Sequence, residues 1–279
     1  MDGSSNNAFG ESALFSNIHA SGNTAIGDEA LFLNDSSGLG IAVHNTAVGA
    51  HALLSNTDSF NNTAVGSLAL MGNDSTAAAT ANNNTAVGSR ALRDNINATS
   101  NTAVGSLTLQ NNDDTGNGTA TANTAVGFQV LFINTDGGFN TAIGYQALLN
   151  STGSVNTALG ASAGSAVTTA NNVIAIGSVG ADVSDSCFIG NISGVAVTGD
   201  PVVVDANGQL GVAPTGSPLS ANELLKQQRV VQELKATTER QAAVIALQEG
   251  QIKALTAGLQ KVSAQLETSK PAPQVVNNP

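Results

Sequence analysis

Between residues 6 and 190 the chain keeps returning to one short alternation of polar and apolar positions. "NTAIGDEAL" from Asn23 is followed by "NTAVGAHAL" from Asn45, "NTAVGSLAL" from Asn62, "NTAVGSRAL" from Asn84 and "NTAIGYQAL" from Asn140. Each phrase sets an Asn, a run such as Thr-Ala-Val and a Gly before a second pair, usually Ala-Leu. Apolar runs this short, rich in β-branched residues and bounded by Asn and Gly, predict strands rather than helices. The motif glycines from Gly10 to Gly190 are separated by 17, 22, 17, 22, 17, 22, 17, 16, 17 and 13 residues, so the early part repeats every 39. A fixed period marks a stacked architecture. Each unit reads as one coil of a parallel β-solenoid with two short strands, the five extra residues of alternate units making a longer loop. Val65, Ala69 and Leu70 are the expected inward apolar set of one coil.

Gly27, Gly49, Gly66, Gly88, Gly105, Gly127, Gly144, Gly160 and Gly177 recur where a Cβ should collide with the turn or the next coil. Spacers such as "NTDGGFN" and "NNDDTGNGT" are turn chemistry. Their sequences look free to vary, which makes them the expected surface for any ligand of the head. Three inward side chains are a thin core for 17 ordered residues, a shortfall that predicts burial against other chains.

After Gly190 the pattern fades. "PVVVDANGQLGV" reads as two strands around an Asn-Gly turn, and Pro214 and Pro218 mark a break. A heptad then fits residues 224–266. Its apolar core positions are Leu224, Val231, Leu234, Ile245, Ile252, Leu255, Leu259, Val262 and Leu266, interrupted by Gln227, Thr238, Gln241 and Gln248. Nine apolar layers of thirteen predict a coiled coil, with a capping box of Ser220 and Glu223 at its start and Pro271 beyond its end. The expected organisation is a β-solenoid head over 1–190, a β-rich connector over 191–219, a coiled coil over 220–267 and a tail over 268–279. The fold class is mainly β with a C-terminal α-helix.

Composition narrows the function. Aromatic residues are 3% and charged residues 10% of the chain, with no Trp and one Cys. The net charge of −11 is concentrated in residues 1–219, which carry 15 acidic and 2 basic residues. That surface repels a polyanion, so no nucleic-acid partner is expected. No run approaches the apolar length of a membrane span, and the start lacks the basic and apolar pattern of a signal peptide.

The "NTAIGYQAL" and "NVIAIG" units, over residues 6–190, resemble the YadA-type head repeats of trimeric bacterial adhesins and similar repeats in phage tail-fibre-like proteins. The coiled coil after the head matches as well. The resemblance implies a left-handed parallel β-roll assembled as a homotrimer. It also implies an extracellular, cell-surface or virion location and contact with a host-surface glycan or matrix protein. Two parts of such proteins are missing from the pattern: a membrane-anchoring β-barrel segment after Leu266, and a chaperone domain between "GQLGV" and the helix.

Side chains with catalytic potential are sparse. His19, His44 and His51 lack metal-ligand spacing, and Cys187 occupies the Thr slot of a repeat unit. The abundant serines show no nucleophile-elbow pattern. Asp113 and Asp114 could bind Ca²⁺ weakly but fit neither an EF-hand nor a nonapeptide repeat. Phe139 and Tyr145 are either packing or contact residues. No enzyme, cofactor or metal is therefore expected. The leading reading is a non-catalytic trimeric attachment fibre. A structural filament or coat subunit without a receptor is the alternative, and a glycan-cleaving tailspike needs a carboxylate pair that the sequence does not display.

Overall fold

A computed structural model of the chain describes residues 3–191, the strands Val202–Val204 and Leu210–Val212, and the helix Ala221–Thr268, with side chains described over 3–191 and 229–267. The chain divides into two units after Val195. The first is a parallel β-solenoid. Three-residue strands recur once per coil at Asn7–Phe9, Thr24–Ile26, Thr46–Val48, Thr63–Val65, Thr85–Val87, Thr102–Val104, Thr124–Val126, Thr141–Ile143 and Thr157–Leu159. Val173–Ile176 and Ser186–Ile189 complete an eleven-stranded parallel sheet in sequence order. Register is set by the motif itself: Thr63, Ala64 and Val65 lie opposite Thr85, Ala86 and Val87. The Thr63 N–H bonds forward to Asn84 O at 2.8 Å, and the Gly66 N–H bonds back to Val48 O at 2.7 Å. Neighbouring coils are thus tied in both directions.

Pleating decides the core. Successive side chains of a strand face opposite ways, and Asn62 and Ala64 both point inward and are fully buried. Val65 therefore points out, contrary to the expectation that the larger aliphatic would fill the core. The buried set of this coil is Ala64, Ala69 and Leu70. The same strand position is Ala in ten successive strands of the sheet, from Ala8 to Ala175, and Phe188 in the last.

The expected second strand of each coil is also absent from most coils. Only Asn111–Asn112 and Ile133–Asn134 pair there. In every coil from Gly10 to Gly160, these two included, the segment after the glycine bends, because two residues take left-handed conformations. Leu68 and Leu70 have φ of 61° and 50°, and Arg90 and Leu92 have 58° and 49°. Such a conformation costs a non-glycine residue about 1–2 kcal/mol, and neighbouring coils hold it in place. The Leu68 N–H reaches back to Ala50 O and the Leu70 N–H forward to Ala91 O, both at 3.0 Å, while the Leu70 side chain is buried. These positions contain no Val, Ile or Thr from Ser12 to Ser162, the residues least able to adopt that conformation.

In the second unit, Val202–Val204 pairs antiparallel with Leu210–Val212, as the Asn-Gly pattern predicts, and a single helix spans Ala221–Thr268. The Ser220–Glu223 cap, the remainder of the connector and the tail lie outside the described residues.

Candidate functional site

The repeat builds four columns that run from coil to coil. The first is glycine. At Gly66, φ is +133° and a Cβ would lie 2.6 Å from Gly88 O. Gly27, Gly49, Gly88, Gly105, Gly127 and Gly144 meet the next glycine's backbone at 2.6 Å or less in the same way. The approach opens at two later members: a Cβ on Gly160 would come no closer than 3.4 Å to Gly177 and one on Gly177 would meet nothing within 4 Å, whereas one on Gly190 would lie 2.0 Å from Gly177 O.

The second column is a ladder of asparagines that the strand reading of the sequence did not reveal. The Oδ1 of each motif Asn accepts the backbone N–H that opens the next strand. This runs from Asn6 through Asn23, Asn45, Asn62 and Asn84 to Asn101, at 2.9 Å for every step. It continues through Asn123, Asn140 and Asn156 to Val173 at the same distance. A third column links amide to amide: Nδ2 of Asn34, Asn56, Asn73, Asn95, Asn112 and Asn134 each donates to Oδ1 of the preceding member, starting at Asn17, at 2.7–3.0 Å. Ser151 follows Asn134 in this column. Its hydroxyl and the Asn134 Oδ1 are both buried without a hydrogen-bond partner, because the shorter side chain ends the ladder. Buried polar groups in a narrow coil must be satisfied, which explains why Asn is so frequent in a chain with so few charges.

The fourth column fastens the long loops. Asp35, Asp74 and Asp113, spaced 39 residues apart, are fully buried. Asp74 accepts the Asp58 N–H of the preceding coil at 2.8 Å and the Ala79 N–H of its own loop at 2.9 Å. Asp113 does the same with Asn97 and Gly118, both at 2.7 Å. Two residues further on, hydroxyls bridge to the next coil: Ser37 to Asp58, Thr76 to Asn97 at 2.6 Å and Thr115 to Asp136 at 3.1 Å. Burial pushes the Asp74 and Asp113 carboxyls above the ordinary range, against the pull of the N–H groups they accept. The loops that looked free thus share a fastening, visible in sequence as Asn-Asp with Ser or Thr two positions after the Asp. Asp182 plays a related part near the solenoid's end. It accepts the N–H groups of Thr168, Thr169 and Ala170 and both threonine hydroxyls at 2.7–3.0 Å. Those bonds hold its carboxyl well below the ordinary range.

Outside these columns, the outward residues before the glycines make an apolar stripe. Ile26, Val65, Val87, Val104, Ile143, Leu159 and Ile176 are 37–48% exposed on consecutive or near-consecutive strands of one sheet. On the helix, the described apolar heptad residues Val231, Leu234, Ile245, Ile252, Leu255, Leu259, Val262 and Leu266 are 50–69% exposed. Leu224 lies within the helix, its side chain outside the described residues. The three histidines do not converge. His51 Nδ1 lies 3.1 Å from Glu29 Oε2, and the His19 N–H donates to Asp35. Cys187 is an exposed thiol in the strand Ser186–Ile189. Among the described residues no group of three or more His, Cys, Asp or Glu is gathered to hold a metal, and no helix is long and apolar enough to cross a membrane. Phe139 is exposed, and Tyr145 stacks on Phe128, a partner the sequence reading did not single out.

The chain matches no family model, no curated protein and no solved structure.

Proposed function

We propose that the chain is the subunit of a homotrimeric, non-catalytic attachment fibre of a cell surface or virion, holding a glycan or matrix protein by many weak contacts. The observation that carries this reading is the apolar stripe on the solenoid sheet. A row of seven exposed aliphatic side chains along nine coils is a surface that the chain has reason to cover. A three-fold ring needs two different complementary surfaces on each subunit. The stripe provides one. A second column five residues after the glycines, apolar at Phe32, Leu54, Met71, Phe132 and Leu149 and polar at Arg93 and Gln110, supplies a different surface as its partner. The heptad row of the helix supports association between copies of the chain independently, since the apolar core positions of a coiled coil are covered by partner helices. The asparagine and glycine columns give a stiff scaffold, which suits a part whose task is to present contacts.

Trimeric presentation converts weak single-site affinity into avidity. The discriminating experiment is binding of the full chain to cell-surface glycans or matrix protein immobilised at graded density. An attachment trimer retains binding at high density and loses it steeply as the ligands become too sparse to be bridged. A purely structural subunit binds at no density and forms sedimentable fibres with rising protein concentration.

A further inference from the structure

We propose that the stacked rings of Phe128 and Tyr145, with the paired amides of Gln129 and Gln146 beside them, form a binding patch for a neutral pyranose. This assignment rests on the attachment reading and names the place and the class of ligand.

The position directly after the motif glycine is elsewhere small or acidic: Asp28, Ala50, Ser67, Ser89, Ser106 and Ala161 occupy it. The fold thus does not require an aromatic ring there, yet rings stand on two successive coils, in a chain that is 3% aromatic. Their centroids are 5.8 Å apart and their planes differ by 12°. Even so stacked, Phe128 is 41% and Tyr145 53% exposed. Stacking covers one face of each ring. The next residues along the column, Ser106 and Ala161, are too short to cover the outer faces. One position further on, Gln146 Nε2 donates to Gln129 Oε1 at 2.8 Å. That bond fixes both amides and leaves a donor on Gln129 and an acceptor on Gln146.

A pyranose has an apolar C–H face and a rim of hydroxyls that both donate and accept. It fits an open ring face beside an oriented donor and acceptor, the usual mixture of apolar wall and few placed polar groups. The patch holds no cation and the head is acidic, so an anionic sugar is disfavoured. The other stacked pair, Phe15 and Phe32, differs in kind. It belongs to a column that is apolar at Leu54, Met71, Phe132 and Leu149 but polar at Arg93 and Gln110, and the residues one position on, Ser16 and Leu33, offer no amide pair.

Tyr145 is the sole Tyr and the chain has no Trp, so tyrosine emission of the full chain reports on this patch alone. The test titrates the full chain with lactose, cellotriose, maltotriose and mannotriose, with sialyllactose as the anionic comparison. In parallel, the wild type and the variants Tyr145→Ala, Tyr145→Phe and Gln146→Ala are applied to a glycan array. The expected result is a saturable emission change with at least one neutral sugar. Array binding should fall by roughly tenfold or more in Tyr145→Ala and in Gln146→Ala, and survive in Tyr145→Phe. Melting temperature and mass in solution should be unchanged. Array binding that persists in Tyr145→Ala overturns the patch and leaves the attachment reading standing. A saturable emission change without any density-dependent surface binding does the reverse. Absence of any saturable change, or dissociation of the assembly by Tyr145→Ala, overturns the patch, in the latter case by marking it as an interface.

Discussion

Replacing Asn84 by Ala tests the asparagine ladder where it is most continuous. The side chain is fully buried. Its Oδ1 accepts the Asn101 N–H at 2.9 Å, and its Nδ2 donates to Ala98 O at 3.0 Å. Ala98 O keeps a second donor, Asn95 Nδ2 at 2.8 Å, so truncation leaves one clear orphan, the Asn101 N–H. A buried donor without a partner costs about 1–3 kcal/mol. The small void left by the amide adds about 1 kcal/mol. The expected loss is therefore roughly 2–4 kcal/mol, concentrated at the interface between the coils that begin at Asn84 and Asn101. Denaturant unfolding of the full chain measures the total. Amide exchange locates it, with the Asn101 N–H losing protection first. Ser89→Ala, on an exposed position five residues away, should stay within about 0.5 kcal/mol of wild type. Asn84→Asp retains the Asn101 acceptor but turns an oxygen toward the Ala98 carbonyl in a buried site, so its destabilisation should grow as pH rises and the carboxyl ionises. Stability within about 0.5 kcal/mol of wild type in Asn84→Ala, with Asn101 still protected, would refute the reasoning.

Other outcomes follow from the remaining columns. Gly66→Ala places a Cβ 2.6 Å from Gly88 O at a φ of +133°, and should lower stability by about 3 kcal/mol or more in a thermal or denaturant melt; an unchanged melt would contradict the close approach. Ser151→Asn should extend the amide ladder to Asn134 Oδ1 and raise stability by about 1 kcal/mol; a loss of stability would show that the shorter turn there has no room. Asp182→Asn should destabilise the last coils at neutral pH. Because the folded carboxyl titrates below its ordinary 3.8, the Asp182 contribution is complete above that value and disappears as pH falls further. The difference between wild type and variant should shrink in acid, and a difference constant with pH would count against it.

How much was legible in the sequence depended on whether local pattern or tertiary constraint decided the matter. The spacing of Gly27, Gly49 and Gly66 was sufficient to predict stacked coils, because a residue that tolerates neither Cβ nor altered spacing keeps its period. The heptad of Val231, Leu234 and Ile245 predicted the helix for a similar reason. The direction of Val65 was misjudged because hydrophobicity alone favours the core, whereas the pleat, fixed by buried Asn62, reverses it. The left-handed Leu68 and Leu70 were invisible to propensity, since their conformations are held by the Ala50 and Ala91 carbonyls of neighbouring coils. Only the absence of β-branched residues at those positions hints at them. Asp35, Asp74 and Asp113 were present at the 39-residue period all along. They passed for loop chemistry because nothing local shows that a carboxylate reaches into the preceding coil. The Phe128 partner of Tyr145 is similarly a matter of register, evident only when positions are compared coil by coil.

The central claim is that apolar surfaces left on the solenoid and the helix are covered by two further copies of the chain. Sedimentation equilibrium or native mass measurement of the full chain tests it most directly. One chain has a mass of 27.7 kDa, and the account predicts a species three times heavier, about 83 kDa, that persists on dilution. A stable, fully folded particle of 27.7 kDa would contradict it.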